Sequence, residues 1–141
     1  MKLNVQAASV WATSIEDRPG GLVEKLAPLV AAGANLEVII GRRTPDQPGQ
    51  GVVFLTPLQG AKQLKAAKAA GYLTTEALHS VRIEGPDQPG LALKMVQALA
   101  DAGLNVRGFS ATAIGRRFVA YLALDDIDDA AKAIRVLRRL K

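Results

Sequence analysis

Few side chains in this sequence could do covalent chemistry, and those few stand apart from one another. There is no cysteine, which removes thiol catalysis, disulfides and thiolate metal sites together. His79 is the single histidine and has no sequence-local nucleophile or metal partner. Asp125, Asp126, Asp128 and Asp129 cluster, but without the ligand-and-glycine spacing of a calcium loop; their place at a helix start fits complementing the helix dipole. No phosphate-binding glycine loop and no nucleophile elbow is present. The expectation is a protein that is not an enzyme and uses no cofactor or metal.

What remains is backbone chemistry. Asp17-Arg18-Pro19-Gly20 recurs as Asp87-Gln88-Pro89-Gly90, displaced by 70 positions. Each Pro-Gly turn leads into a helical pattern, so each should present a helix N-terminus with unpaired N–H groups. The glycine lets a ligand approach without a Cβ in the way. A carboxylate placed there would gain N–H donors and the positive end of the helix dipole. Asp17 and Asp87 could accept from an ammonium group, and helix capping explains them equally well. A third copy, Pro45-Asp46-Gln47-Pro48-Gly49, runs into Val52-Val53, a strand pattern; it reads as a hairpin loop with no dipole behind it.

The same displacement carries Leu29 to Leu99, Ala32 to Ala102, Gly33 to Gly103 and Asn35 to Asn105, so the chain is a duplication. Each half reads strand, helix, strand, strand, helix. Trp11–Ile15 and Val81–Glu84 are the first strands. Helices follow over about 20–32 and 90–102, with apolar faces Leu22, Leu26, Leu29, Val30 and Leu91, Met95, Val96, Leu99. Pro28 should kink the first. Gly33 and Gly103 suit left-handed C-caps. Hairpins follow: Leu36–Ile40 with Val52–Leu55, and Val106–Ile114 with Phe118–Leu124. A second helix opens at Thr56-Pro57-Leu58-Gln59, read as a capping box, and closes at Gly71. Its counterpart is capped by Asp126 and carries Ile127, Ala131, Ile134 and Leu137 on one side.

This is the split βαβ order: an α+β fold of two ferredoxin-like βαββαβ units, each an antiparallel sheet with helices on one face. The first unit adds a strand near 72–77. The second ends without one, and two units of 70 fill almost the whole chain. Residues 2–8 then align with 72–78 and should supply the missing strand. The alternative is that residues 2–6 merely extend the first strand. The expected domains are 1–78, with 2–8 pairing into the other unit, and 79–141.

Composition bounds the function class. Hydrophobic residues make up 49% and charged residues 22% of the 141, as in a folded globular chain. The net charge of +5 admits nucleic-acid contact, but aromatics at 4% leave little to stack bases on. No apolar run approaches a transmembrane length and no export segment survives Asn4, Gln6, Ser9 and Ser14, so a cytoplasmic protein without membrane contact is expected. Val52–Leu55 and Phe118–Leu122 are apolar at consecutive positions, which predicts strands covered on both faces and a homodimer or larger assembly.

Asp-x-Pro-Gly, then a helix, then Gly-x-Asn (Gly33-Ala34-Asn35 and Gly103-Leu104-Asn105) resembles the ACT domain family, small ferredoxin-like regulatory modules of amino-acid metabolism. The resemblance spans nearly the whole chain, twice. It implies an amino acid bound between domains paired edge to edge, the turn of one and the asparagine of its neighbour making contacts. The implied ligand-binding residues are Asp17, Arg18, Gly20, Gly21 and Asn35, and Asp87, Gln88, Gly90, Leu91 and Asn105. An enzyme partner is a further implication, with a protein-interaction subunit whose ligand site is vestigial as the alternative. Gly21 against Leu91 makes the two turns unequal. Ile15-Glu16-Asp17 and Gly85-Pro86-Asp87 depart from the His-x-Asn of some serine-sensing relatives.

Overall fold

The computed structural model describes residues 2–74 and 79–141. They form two compact units. The first contains β2 (Trp11–Glu16), α1 (Gly21–Ala31), β3 (Val38–Arg43), β4 (Gln50–Thr56), α2 (Gly60–Ala69) and β5 (Leu73–Thr74). The second contains β6 (His79–Pro86), α3 (Leu91–Asp101), β7 (Gly108–Ile114), β8 (Arg117–Leu124) and α4 (Ile127–Arg138), together with β1 (Asn4–Ala8) from the start of the chain. The sheet orders are β3-β4-β2-β5 and β1-β6-β8-β7, the same ferredoxin-like order twice, with all pairs antiparallel.

Strand β1 pairs along its whole length with β6, Val5 opposite Ile83. The N-terminal segment thus completes the second sheet and does not extend β2. Its register corrects the one read from the repeat. Gln6 faces Arg82, and Leu73 faces Ala12, the position equivalent to Arg82. Gln6 therefore corresponds to Leu73, so the seven-residue segments are offset by three from the alignment of 2–8 with 72–78. The strand expected over 72–77 is seen as Leu73–Thr74; its later residues lie outside the described residues.

Alternation builds each core. Val81, Ile83, Phe118, Ala120, Leu122 and Leu124 turn one face of the second sheet toward Leu91, Met95 and Leu99 of α3 and Ala130, Ala133 and Leu137 of α4. In the first unit Trp11, Val53, Leu55, Leu29, Ala67 and Tyr72 do the same with fewer large side chains. The face expected on α4 is rotated. Ile127 is 66% exposed and Ala131 is exposed, while Ala130 and Ala133 are buried.

One helix start also differs from the sequence reading. Helix α2 begins at Gly60, not at Pro57, and Gln59 is its N-cap. The Thr56 hydroxyl donates to the Ser9 carbonyl at 2.9 Å and caps nothing; the Gln63 side chain accepts from the Gln59 amide at 2.8 Å. Asp126 does cap α4, accepting from the Asp129 amide at 2.8 Å. Gly33 and Gly103 adopt φ of 89° and 77° at the ends of α1 and α3, as left-handed C-caps require.

Candidate ligand-binding site

Each strand–turn–helix junction brings together the residues read from the Asp-x-Pro-Gly motif. Gly20 and Gly90 are the N-caps of α1 and α3, at φ of 85° and 80°, a left-handed conformation that costs glycine little. No side chain caps either helix, which removes capping as the explanation of Asp17 and Asp87. The Gly21 and Leu91 amides donate to the Arg18 and Gln88 carbonyls at 3.0 and 3.2 Å. The next two amides of each helix have no intrahelical acceptor and lie at the positive end of the dipole.

The two junctions are furnished differently. In the first, Arg18 pairs with both Glu16 and Glu24, and its hydrogen bond and charge hold the Glu16 carboxyl below the usual carboxylate range. Asp17 accepts from Arg43 Nε at 2.6 Å and Nη2 at 3.4 Å. Arg18 Nη1 would stand 3.7 Å from a Cβ at Gly20. Gly21 is a close approach: a Cβ there would sit 2.1 Å from the Glu16 carbonyl oxygen. In the second junction the equivalent positions are Pro86, Gln88, Lys94 and Ala113, so no such ion pairs form. Asp87 and Gln88 are exposed, a Cβ at Gly90 would meet nothing within 4 Å, and Leu91 is 3% exposed.

The loop 44–49 sits beside the first turn, where the Asp17 amide donates to the Gly49 carbonyl at 3.0 Å. The Asp87 amide makes the matching bond to the Arg116 carbonyl at 2.8 Å. The third Pro-Gly copy is thus a hairpin loop that braces a turn. It presents no helix.

The asparagines are not brought to the turns of their own units. Asn35 and Asn105 follow the far ends of α1 and α3, each 11 residues and so roughly 16 Å long. Both are exposed. Asn35 lines an open cleft of about 450 Å³ with Gly33, Leu36, Glu37, Pro57, Gln59 and Gln63. That cleft is polar and was not foreseen, because Pro57, Gln59 and Gln63 reach it only once α2 starts at Gly60. Among the described residues there is no group of acids or histidines that could hold a metal ion, and no helix is long and apolar enough to cross a membrane.

Fold and junctions together define a tandem of ferredoxin-like domains, each with a helix that starts at a Pro-Gly turn. The model of the ACT domain family matches residues 79–141, the second unit, and the first unit repeats the same ferredoxin-like strand order. The regulatory subunit of aspartate kinase from Thermus thermophilus, in its ligand-free form, superposes with a TM-score of 0.66 at 18% identity over 99% of this chain and 97% of that one. A protein from Bacteroides thetaiotaomicron superposes with a TM-score of 0.76 at 18% identity over 93% and 88%. At that identity the likeness establishes the fold. Comparison with curated protein sequences gives no match.

Proposed function

We propose that this protein is a regulatory module that binds an amino acid at the Gly90 turn. The carrying observation is the open junction of β6 and α3. Its helix amides are uncapped, the Asp87 carboxylate has no ion-pair partner among the described residues, and nothing crowds Gly90. The amides suit the ligand carboxylate and Asp87 suits its ammonium group, so the two ends of an α-amino acid meet complementary charge. The ACT family match supports a regulatory, ligand-binding role.

Because about 16 Å of helix separates Gly90 from Asn105, one unit cannot offer both. The asparagine contact therefore has to come from a different unit, and a homodimer or larger assembly is the binding form to test. The likeness to an aspartate kinase regulatory subunit makes an enzyme the partner to test, and a water-filled intracellular compartment fits both roles.

Thermal unfolding with each of the twenty amino acids at millimolar concentration tests the reading. A ligand of about nine heavy atoms binds in the millimolar to tens-of-micromolar range. A saturating one should raise Tm by a few degrees. Asp87→Ala and Asn105→Ala should abolish that rise, while their ligand-free Tm stays near wild type because both side chains are exposed. Gly90 is a poorer probe, since its left-handed φ penalises any side chain. No stabilisation by any amino acid, or full stabilisation in both variants, rejects the site.

A further inference from the structure

Helix α2 carries Lys62, Lys65 and Lys68 at three-residue spacing, all exposed, and contains no acidic residue. The sequence has no Asp or Glu anywhere from Gln47 through Thr75. None of the three lysines makes an ion pair among the described residues. Lys25 adds a fourth cation at the end of the helix, its ammonium donating to the Ala70 carbonyl at 2.7 Å. The core takes the opposite side of α2, through Leu64, Ala66, Ala67 and Ala70. Like charges three residues apart destabilise a helix, and among the described residues no carboxylate pairs with them, although Lys68 in the last turn is favoured by the helix dipole.

The row recurs 70 positions on as Lys132, Arg135 and Arg138 of α4, although other charges of the repeat do not: Glu24, Arg43 and Asp46 correspond to Lys94, Ala113 and Arg116. The α4 row is moderated, because Asp128 and Asp129 share its helix and Arg138 donates to the Val5 carbonyl. The α2 row has no acidic residue on its own helix.

We propose that the exposed face of α2 docks an acidic segment of a partner protein, with Lys62, Lys65 and Lys68 pairing with its carboxylates. The row spans seven residues, six rises or roughly 9 Å, a length over which a helix offers carboxylates at successive turns. Ala61 and Ala69, which flank the row, are exposed and small, so no bulky side chain at its ends keeps a partner away. Complementary charge of this kind sets specificity and encounter rate. Nucleic acid is the poorer fit: its affinity grows with the number of neutralised phosphates, and α2 offers three exposed cations and no aromatic side chain. The surface is independent of the amino-acid reading, since none of its lysines belongs to a turn or asparagine site.

The test is fluorescence anisotropy with a labelled polyglutamate peptide and, separately, duplex DNA at low salt, using the full chain. Lys62→Gln, Lys65→Gln and Lys68→Gln together should weaken polyglutamate binding by about tenfold or more, whereas neutralising exposed Lys2, Arg42 and Arg139 should change it less than about threefold. Lys65→Glu alone should act in the same direction, which keeps the test open if the triple variant folds poorly. Equal losses in the two charge-matched triples, no binding of polyglutamate by the wild-type chain, or tighter binding of DNA with the same lysine dependence would each overturn the proposal.

Discussion

The two strand–turn–helix junctions share a motif, a glycine N-cap and an exposed aspartate, and they differ in almost every neighbouring charge. At the first, Glu16, Arg18 and Glu24 are tied together and Arg43 holds Asp17. At the second, Pro86, Gln88, Lys94 and Ala113 leave Asp87 and the helix amides open. A duplicated fold can thus keep the geometry of a junction in both copies while the charges around it diverge. The fourth strand separates the units in another way: β1 reaches its sheet from the far end of the chain, whereas β5 follows α2 directly.

That second contrast yields the largest predicted effect. Deleting residues 2–7 removes Val5 from the core, Leu3 from its packing over Gly85 and the carbonyl that Arg138 bonds, and it bares the backbone edge of β6. Losing one buried and one partly buried aliphatic side chain and a ladder of hydrogen bonds should cost more than about 4 kcal/mol. The unit of α3 and α4 should lose amide protection, or the protein should aggregate through the freed edge, while α1 and α2 stay protected. Rapid exchange at the Gln6 and Ala8 amides, which lie opposite Arg82 and Ser80, in the intact protein would contradict the contribution assigned to β1.

Exchanging the residues that begin α1 and α3 should have the next largest effect, and its mechanism should differ between the units. Gly21→Ala drives a Cβ into the Glu16 carbonyl, so the turn must move; Leu91→Ala leaves the turn alone and empties a buried site. Each should cost about 2–4 kcal/mol by denaturant unfolding. Only Leu91→Ala should be recovered by a volume-conserving residue such as methionine.

Alkaline pH should separate the units again. Burial pushes the Tyr72 phenol up to about 12, and its hydroxyl donates to the Lys25 carbonyl at 2.9 Å. A phenol whose pKa is raised in the fold contributes its full stability below the unfolded value near 10 and loses it as pH rises toward 12. The unit of residues 9–75 should therefore weaken by about 1–2 kcal/mol between pH 10 and 12. Tyr72→Phe should flatten that dependence, and an unchanged pH profile in the variant would reject the assignment.

Much of this was legible from periodicity and repetition. Helix ends followed from Gly33, Gly103 and Asp126, and the junctions followed from Asp-x-Pro-Gly in front of a 3.6-residue pattern. The misreadings have physical causes. Thr56-Pro57 has the spelling of a capping box, but Thr56 is needed by the Ser9 carbonyl, so the helix starts at Gly60. Ile127 continues the apolar pattern of α4 although buried alanines, small enough for close packing on the sheet, take the core face. The alignment of 2–8 with 72–78 assumed a constant displacement, whereas strand register is set by cross-strand pairing, which no displacement encodes. The ion pairs that close the first turn were out of reach for a related reason: Arg43 meets Asp17 only because the β3–β4 hairpin returns beside β2.

The smallest predicted change in stability sharpens the comparison of the turns the most. Arg18→Gln and Arg43→Ala together give the first junction the residues found at the second at two of its four differing positions, removing both cations while Glu16 and Glu24 remain. Arg18, Arg43, Glu16 and Glu24 are largely exposed, so their ion pairs sit in high dielectric and contribute little to folding; Tm should barely move. Ligand binding should respond more. With Asp17 released and the guanidinium gone from beside Gly20, the amides at the start of α1 become as available as those of α3. Calorimetric titration with an amino acid that binds the wild-type protein should then show a second site per chain, weaker than the first because Gly21 holds that turn tighter. Wild-type stoichiometry in the double variant would mean that backbone shape, not the charge cover, silences the first turn. Loss of the existing site would show that the first junction contributes to binding as it stands.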